Sequence, residues 1–340
     1  MEVPTFMSGT TVVLADSIWS DAAIKLGNSF GTVATFLAIL LLVFFAAGRA
    51  TGRLYRPLAM GVFLGPAVAL LLIGLVIPAI RTFYLSFKSD DSSRYVGVKN
   101  FTWAFTTSSI QDVLLNTLLW IVIAPVVTTL LGLALALLVD RLKGQAVYKS
   151  LIFMPMAVSF VGASFIWRFV YEARDPAQPQ IGLLSQIAIL LGFHPPNWIL
   201  TQPLNTFLLM VIMVWVQTGF AMVVLSAALK AVPDDVIEAA RMDGAHGGRL
   251  LFFVTIPMIR NTLIVVLTTV MITTLKVFDI VRTMTGGNFG TQVLANEMYS
   301  QSFVQFNNGR GSALATILFL AVLPLVIYNI VQLRRERETR

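Results

Sequence analysis

Few residues in this chain could make or break bonds. There is no cysteine, so neither a disulfide framework nor a thiolate nucleophile is available. The two histidines stand apart, His194 before Pro195-Pro196 and His246 among glycines, and both read as loop residues. No phosphate-cradling GxxxxGKS/T occurs, and no HExxH or GxSxG. Thr285-Gly286-Gly287-Asn288-Phe289-Gly290 follows an apolar span rather than a strand, which makes it a turn and not a phosphate site. What remains is hydrogen bonding from neutral side chains set in apolar surroundings. Gln217 lies beside Trp215, and Thr273 and Thr274 lie near the end of another apolar stretch. Met156 and Phe160 follow Pro155 in a third. An amide donates to one partner and accepts from another. Such groups suit a neutral, hydrogen-bonding solute. The competing reading is helix packing, in which Thr and Gln bond between neighbouring helices and Met and Phe fill space.

A second set of residues has explicit helix ends outside any apolar stretch. Val232-Pro233-Asp234-Asp235-Val236-Ile237-Glu238-Ala239-Ala240-Arg241-Met242-Asp243-Gly244 reads as a short helix. Pro233 sets its first turn and two aspartates complement the N-terminal dipole. Gly244 suits a left-handed exit. Val236, Ala239 and Ala240 offer a smooth face that another surface can approach closely.

The elements that position these residues are membrane spans. The chain has 340 residues, 57% hydrophobic and only 12% charged, with mean hydropathy +0.81. Ordinary soluble domains carry about 25% charged residues, so a soluble enzyme is excluded. A span needs about 20 apolar residues. Seven stretches qualify: Phe30–Gly48, Pro57–Ile80, Val113–Val139, Ser150–Trp167, Leu204–Leu229, Ile256–Phe278 and Gly311–Leu333. Arg260 and Lys276 lie near the ends of the sixth and can snorkel to the interfaces. Pro66, Pro125, Pro155 and Pro324 fall inside spans, which membrane helices tolerate.

The net charge of +7 reports orientation rather than nucleic-acid binding. Arg49–Arg56, Arg141–Lys149, Lys230–Arg249 and the C-terminal arginines then share the cytoplasmic face, with the N-terminus outside. No cleaved secretory signal is expected in residues 1–29. Val12–Leu26 reads equally as an interfacial helix or a loosely ordered tail. The outer loops Arg81–Asp112, Arg168–Pro203 and Asp279–Arg310 run to about 30 residues each, too few for an independent core.

Glu238-Ala239-Ala240, three residues, Gly244, nine residues and Val254-Thr255-Ile256-Pro257 together resemble the EAA motif of ABC-importer permeases. Spacing is kept throughout; Val254 and Ile256 stand where the motif has Ile and Leu. Phe278-Asp279 followed by Thr285-Gly286-Gly287 is similar to the carbohydrate-importer subfamily, with Asn288 in place of its proline. Phe153–Trp167, Val277–Thr285 and Gln292–Asn296 look closest to the α-glucoside (AglF-type) permease group, as does the extra N-terminal span.

The resemblance implies an all-α polytopic membrane protein: a six-helix ABC-importer permease core plus one extra N-terminal transmembrane helix, seven in total. Its expected parts are an extracytoplasmic segment 1–29, the extra helix and cytoplasmic link 30–56, the core 57–333 and a cytoplasmic tail 334–340. Within the core, segment 233–249 would couple to an ATPase through Glu238, Ala239, Ala240, Asp243 and Gly244. The implied partners are a second, similar permease, two ATPase subunits and an extracytoplasmic sugar-binding protein, in a prokaryotic inner membrane. No cofactor is expected on this chain; ATP and Mg belong to the ATPases, so the chain is not itself an enzyme. Substrate, an α-glucoside or related oligosaccharide, would pass between the two permeases by alternating access. Alignment with the resembling maltose permease places substrate contacts at Met156, Phe160, Met213, Val216, Gln217, Thr273 and Thr274. The alternative is a stand-alone secondary transporter or channel, which inverted repeats or a mid-membrane charge would favour; neither is evident in the sequence.

Overall fold

The computed structural model describes residues 55–175 and 177–338, together with isolated positions between Lys25 and Phe45. The isolated positions are helical. The rest of the expected extra span, and the stretch Val12–Leu26 apart from Lys25, lie outside the described residues. Contacts divide the chain into two compact units, Met1–Arg81 and Thr82–Arg340. Helix α1 (Tyr55–Leu71), with Pro66 inside it, runs through a π turn (Leu72–Val76) into α2 (Ile77–Leu85), within which the first unit ends.

The second unit continues through α3 (Lys99–Thr106) and α4 (Ser108–Val139), then α5 (Gln145–Phe153), a 3-10 turn (Met154–Ala157) and α6 (Phe160–Val170). There follow α7 (Leu183–Leu190), α8 (Leu204–Lys230), α9 (Asp234–Met242) and α10 (Gly248–Leu250). A π turn (Leu251–Thr255) leads into α11 (Ile256–Leu275), followed by α12 (Asp279–Met284), α13 (Leu294–Tyr299), a π turn (Ser300–Val304) and α14 (Asn308–Glu338). The described residues contain no strand, only an isolated bridge between Lys88 and Tyr95.

Five helices among the described residues are long and apolar enough to cross a membrane. They are Leu64–Leu85, Ser108–Val139, Leu204–Lys230, Gly248–Leu275 and Asn308–Val331. The remaining core span, expected as one helix over Ser150–Trp167, is instead broken: α5 with its 3-10 turn and α6 meet at 102°. The all-helical architecture therefore holds, and the described residues give five spans, or six if the bent pair is one; most of the expected extra span lies outside them.

The cause of the break is local. Pro155 has no N–H to offer the preceding turn. Val158 and Ser159 are both extended, and the Ser159 hydroxyl accepts from Gly162 N at 3.1 Å, starting a new helix. Pro125 behaves differently. The hydroxyl four residues on, Thr129, bonds back to the Pro125 carbonyl at 2.8 Å, and α4 passes straight through.

Helix α8 is the axis of the bundle. It packs along α4, where Gly132 faces Ala221, and against α5, the 3-10 turn, α6 and α11. One core cluster joins Trp120 and Ala124 of α4 to Ala163 of α6, Leu209–Val216 of α8 and Val277–Val281 around α12. A second, nearer α9, joins Leu133 and Ala136 to Ala221, Met222 and Leu225, with Ile259 and Val266 of α11.

Candidate functional site

The first candidate region lies where the broken span meets α8. Gly219 is where the two touch: a Cβ there would sit 2.6 Å from the Ile152 carbonyl oxygen and 2.7 Å from Phe153 Cα. Gly219 therefore lets the turn carrying Met156 lie directly on the helix carrying Gln217. Further along the same contact is an aromatic group that the sequence alone did not reveal, apart from Trp215. The Trp167 and Trp215 rings are 5.8 Å apart and near perpendicular, and Trp167 also packs on Tyr171 at 5.2 Å. The Tyr171 hydroxyl donates to the Leu208 carbonyl at 2.9 Å, tying the end of α6 to α8. Burial pushes the Tyr171 hydroxyl above the ordinary tyrosine range, so it stays protonated and able to donate. The aromatic spacing 167–171 on one helix was the available signal.

The seven expected pathway residues fall into two groups. Met213, Val216 and Thr274 are buried within the chain's own packing. The Thr274 hydroxyl donates to the Val270 carbonyl at 2.8 Å and approaches Met213 Sδ at 3.6 Å. Met213 and Val216 belong to the core cluster on which Phe160 packs. Met156 is exposed, while Phe160, Gln217 and Thr273 are half-buried. Thr273 spends its hydroxyl on the Thr269 carbonyl at 3.1 Å. The Gln217 amide makes no hydrogen bond to any described residue, so both its donors and its acceptor are left without a partner there.

The second region is α9. Its residues follow α8 after only Ala231, Val232 and Pro233. Pro233 sits at the N-cap rather than in the first turn, with Asp234 and Asp235 next. The far end closes as the sequence implied. Gly244 has φ +83°, its N–H donates to the Arg241 carbonyl at 3.0 Å, and Ala245 N–H donates to the Ala240 carbonyl at 2.9 Å. Glu238, Ala239 and Asp243 are exposed and Ala240 half-buried, and α9 packs on residues 248–255. Val236 and Met242 stand in the open, as do Phe252 and Phe253 of the adjoining π turn. None of the α9 residues reaches the Gln217 region; α8 itself joins the two.

A third group went unnoticed in the sequence, where Lys149 and Lys230 served only to set orientation. Asp140 caps the end of α4. Lys149 of α5 donates to it at 2.5 Å, Ser226 of α8 lies 2.9 Å from both carboxylate oxygens, and Lys230 is 3.6 Å away. Gln145 Oε1 accepts from Lys230 at 2.6 Å and from Lys149 at 3.2 Å. Burial opposes ionisation of Asp140, but the hydrogen bonds from Lys149 and Ser226 outweigh it and hold the carboxyl below its ordinary range.

At the opposite end, the Thr285–Gly290 segment is a turn with left-handed backbone at Gly286, Gly287, Phe289 and Gly290. Asn116 of α4 donates to the Gly290 carbonyl at 2.6 Å, and Asn205 of α8 to the Phe289 carbonyl at 2.8 Å. The Gly286, Gly287 and Asn288 amides bond within the chain, to Val281 O, Thr285 Oγ1 and Thr285 O. The described residues contain no group of three or more metal-binding side chains.

Comparison with known proteins places this geometry. Residues 120–338 match the family described as binding-protein-dependent transport system inner membrane component. The chain is 48% identical over 278 residues to the osmoprotective compounds uptake permease protein GgtC of Synechocystis sp., covering 82% of this chain and 100% of that protein. It is 42% identical to the alpha-glucoside transport system permease protein AglF of Rhizobium meliloti, covering 84% and 85% respectively. The trehalose/maltose transport system permease protein MalF of Thermococcus litoralis is 30% identical over 80% of this chain and 93% of its own. Among solved structures, a chain of a bacterial alginate ABC transporter, crystallised with an alginate pentasaccharide-bound periplasmic protein, superposes with TM-score 0.71. It covers 83% of this chain and 96% of that one at 18% identity, a likeness of fold.

Proposed function

The chain belongs to the family of binding-protein-dependent transport system inner membrane components, and from that premise we propose that it is one of two permeases in an ATP-driven sugar importer. The names of its relatives, an alpha-glucoside permease and a trehalose/maltose permease, support α-linked glucosides or related oligosaccharides as substrate. Its partners are a second, similar permease, two ATPase subunits that hold ATP and Mg, and an extracytoplasmic sugar-binding protein. Family membership favours this over a stand-alone transporter.

The observation that carries the reading is α9: a capped helix, exposed on nearly every side and joined by three residues to the central helix. Segment 233–249 docks on the ATPase, with Glu238 pairing with a basic group and Ala239 and Ala240 allowing close approach. Asp243 and Gly244 shape its exit. Nucleotide closure then favours the outward-facing state by differential affinity. The N-terminus and residues 1–29 lie outside, residues 30–56 form the extra helix and its link, and the tail 334–340 is cytoplasmic.

Within the core 57–333, Gln217, Thr273, Phe160 and Met156 line the sugar path on this chain's side, and Met213, Val216 and Thr274 back that wall. Gln217 binds hydroxyls through its free amide, and the aromatics present ring faces. Gln217→Ala tests this. Uptake of α-glucosides should fall while complex assembly and basal ATP hydrolysis survive. Wild-type uptake with unchanged sugar preference would make Gln217 a packing residue.

A further inference from the structure

The structure assigns Asp140 a positioning role in coupling: it locks the start of the broken span to the helix that carries α9, so the two move as one block. This rests on the reading of α9 as the ATPase dock.

Side chains from three separate helices meet at this carboxylate. Asp140 closes α4; Lys149 comes from α5, four residues before the helix ends and the 3-10 turn begins; Ser226 and Lys230 come from the last turn of α8, just before α9. The ring is closed by Lys149 to Ser226 at 2.6 Å and by Gln145 to both lysines. Side chains of Asp140 and Lys149 are only 16% and 19% exposed, so water screens them poorly. Fully bonded polar networks of this kind hold one arrangement, and removing one charge leaves the other buried and unpaired.

The elements on either side give the lock its direction. Beyond α8 lies the exposed helix α9, and beyond α5 lies the 102° break that bears Met156 and abuts α8 at Gly219. A push on α9 is therefore delivered to the base of the broken span through Ser226, Asp140 and Lys149. The α8–α5 contact at Gly219 is the second point that keeps the block rigid. Without the carboxylate, Lys149 keeps only its neutral partners Ser226 and Gln145, and the tie between α9 and the break is weakened.

Two measurements on the whole complex separate this from a merely structural role. The chain has no native cysteine, so spin labels can be placed at exposed positions 146 and 227 on α5 and α8. The block predicts one distance distribution, unchanged between nucleotide-free and vanadate-trapped complexes. It also predicts a broadened distribution in Asp140→Asn and recovery in Asp140→Glu. The second measurement is stimulation of ATP hydrolysis by sugar-loaded binding protein. It should fall by about tenfold in Asp140→Asn with basal hydrolysis kept, and recover in Asp140→Glu.

Ser226→Ala, which leaves the ion pair in place, should lose part of the stimulation and serves if Asp140→Asn fails to assemble. A label distance that changes on trapping, or stimulation of Asp140→Asn within about twofold of wild type, would overturn the lock. A wild-type complex that hydrolyses ATP without stimulation would instead count against the docking role of α9. The label distances would still decide whether the block exists.

Discussion

Adding a single methyl group at Gly219 should damage transport more than the same change three residues inside α6. At Gly219 the new Cβ lands 2.6 Å from the Ile152 carbonyl oxygen and 2.7 Å from Phe153 Cα. Ordinary contact begins at 3.4 Å, so the backbone of the broken span must retreat by about 0.8 Å. Backbone atoms cannot rotate away as a side-chain tip can. Overpacking of this kind costs roughly 1–3 kcal/mol, which corresponds to about 5- to 150-fold in the docked population. The movement would draw Met156 away from α8, two residues from Gln217 on that helix. Gly162→Ala is the internal control. Its Cβ meets only side-chain atoms, Val158 Cγ1 at 3.2 Å and Ser159 Oγ at 3.3 Å, which can shift slightly. The assay is uptake of a labelled α-glucoside that the wild-type importer carries, normalised to permease found in the membrane by immunoblot. Gly219→Ala should lose most uptake at a normal membrane level, and Gly162→Ala should keep most of it. Equal uptake by the two variants would show that the α5–α8 contact is slack and that the break is not seated there.

At Gly244 an added Cβ would meet no atom within 4 Å, so substitution costs backbone strain alone, roughly 1–2 kcal/mol at φ +83°. Gly244→Asn, which tolerates left-handed backbone, should keep more ATPase association in a pull-down than Gly244→Val; equal retention would show that the turn is dispensable. For Asp140, whose folded-state pKa is depressed, stabilisation is fully present above the unfolded value of about 3.9 and is lost as pH falls through the folded value. The melting-temperature gap between wild type and Asp140→Asn should therefore stay constant from pH 8 to about 5 and close only below about 4; a gap that closes near neutrality would assign it to another group. A cysteine at position 146 should react with a membrane-impermeant maleimide only after the cells are opened, because positive flanks mark the cytoplasmic face; labelling of intact cells would invert the topology.

Much of the fold follows from apolar length alone. Leu204–Lys230 and Ser108–Val139 are long uncharged runs, and such runs have few other ways to satisfy their backbone in a membrane. The broken span was harder to foresee. Its composition is that of a helix, and the break depends on Ser159 capping toward Gly162 rather than bonding backwards as Thr129 does. Helix α9 was legible because aspartates, alanines and a glycine occupy defined helix positions. Burial was not: alignment names Met213 and Thr274, and only the structure shows that they face each other inside the bundle. Spacing along α8 places a residue on a face but does not say which neighbour covers that face. The Asp140 ring was invisible for a similar reason, since Asp140 and Ser226 are 86 residues apart and only the packing of α4 on α8 joins them.

The central claim is that this chain converts ATPase closure into movement of a sugar through its own half of a paired permease. The direct measurement is sugar uptake into proteoliposomes holding this chain, its partner permease and the ATPases, with binding protein supplied on the side opposite the ATPases. Uptake should require ATP and binding protein together, and should disappear when α9 carries Glu238→Ala and Gly244→Val, although the spans still insert. Uptake that proceeds without ATP, or that survives the loss of α9 function, would contradict the account.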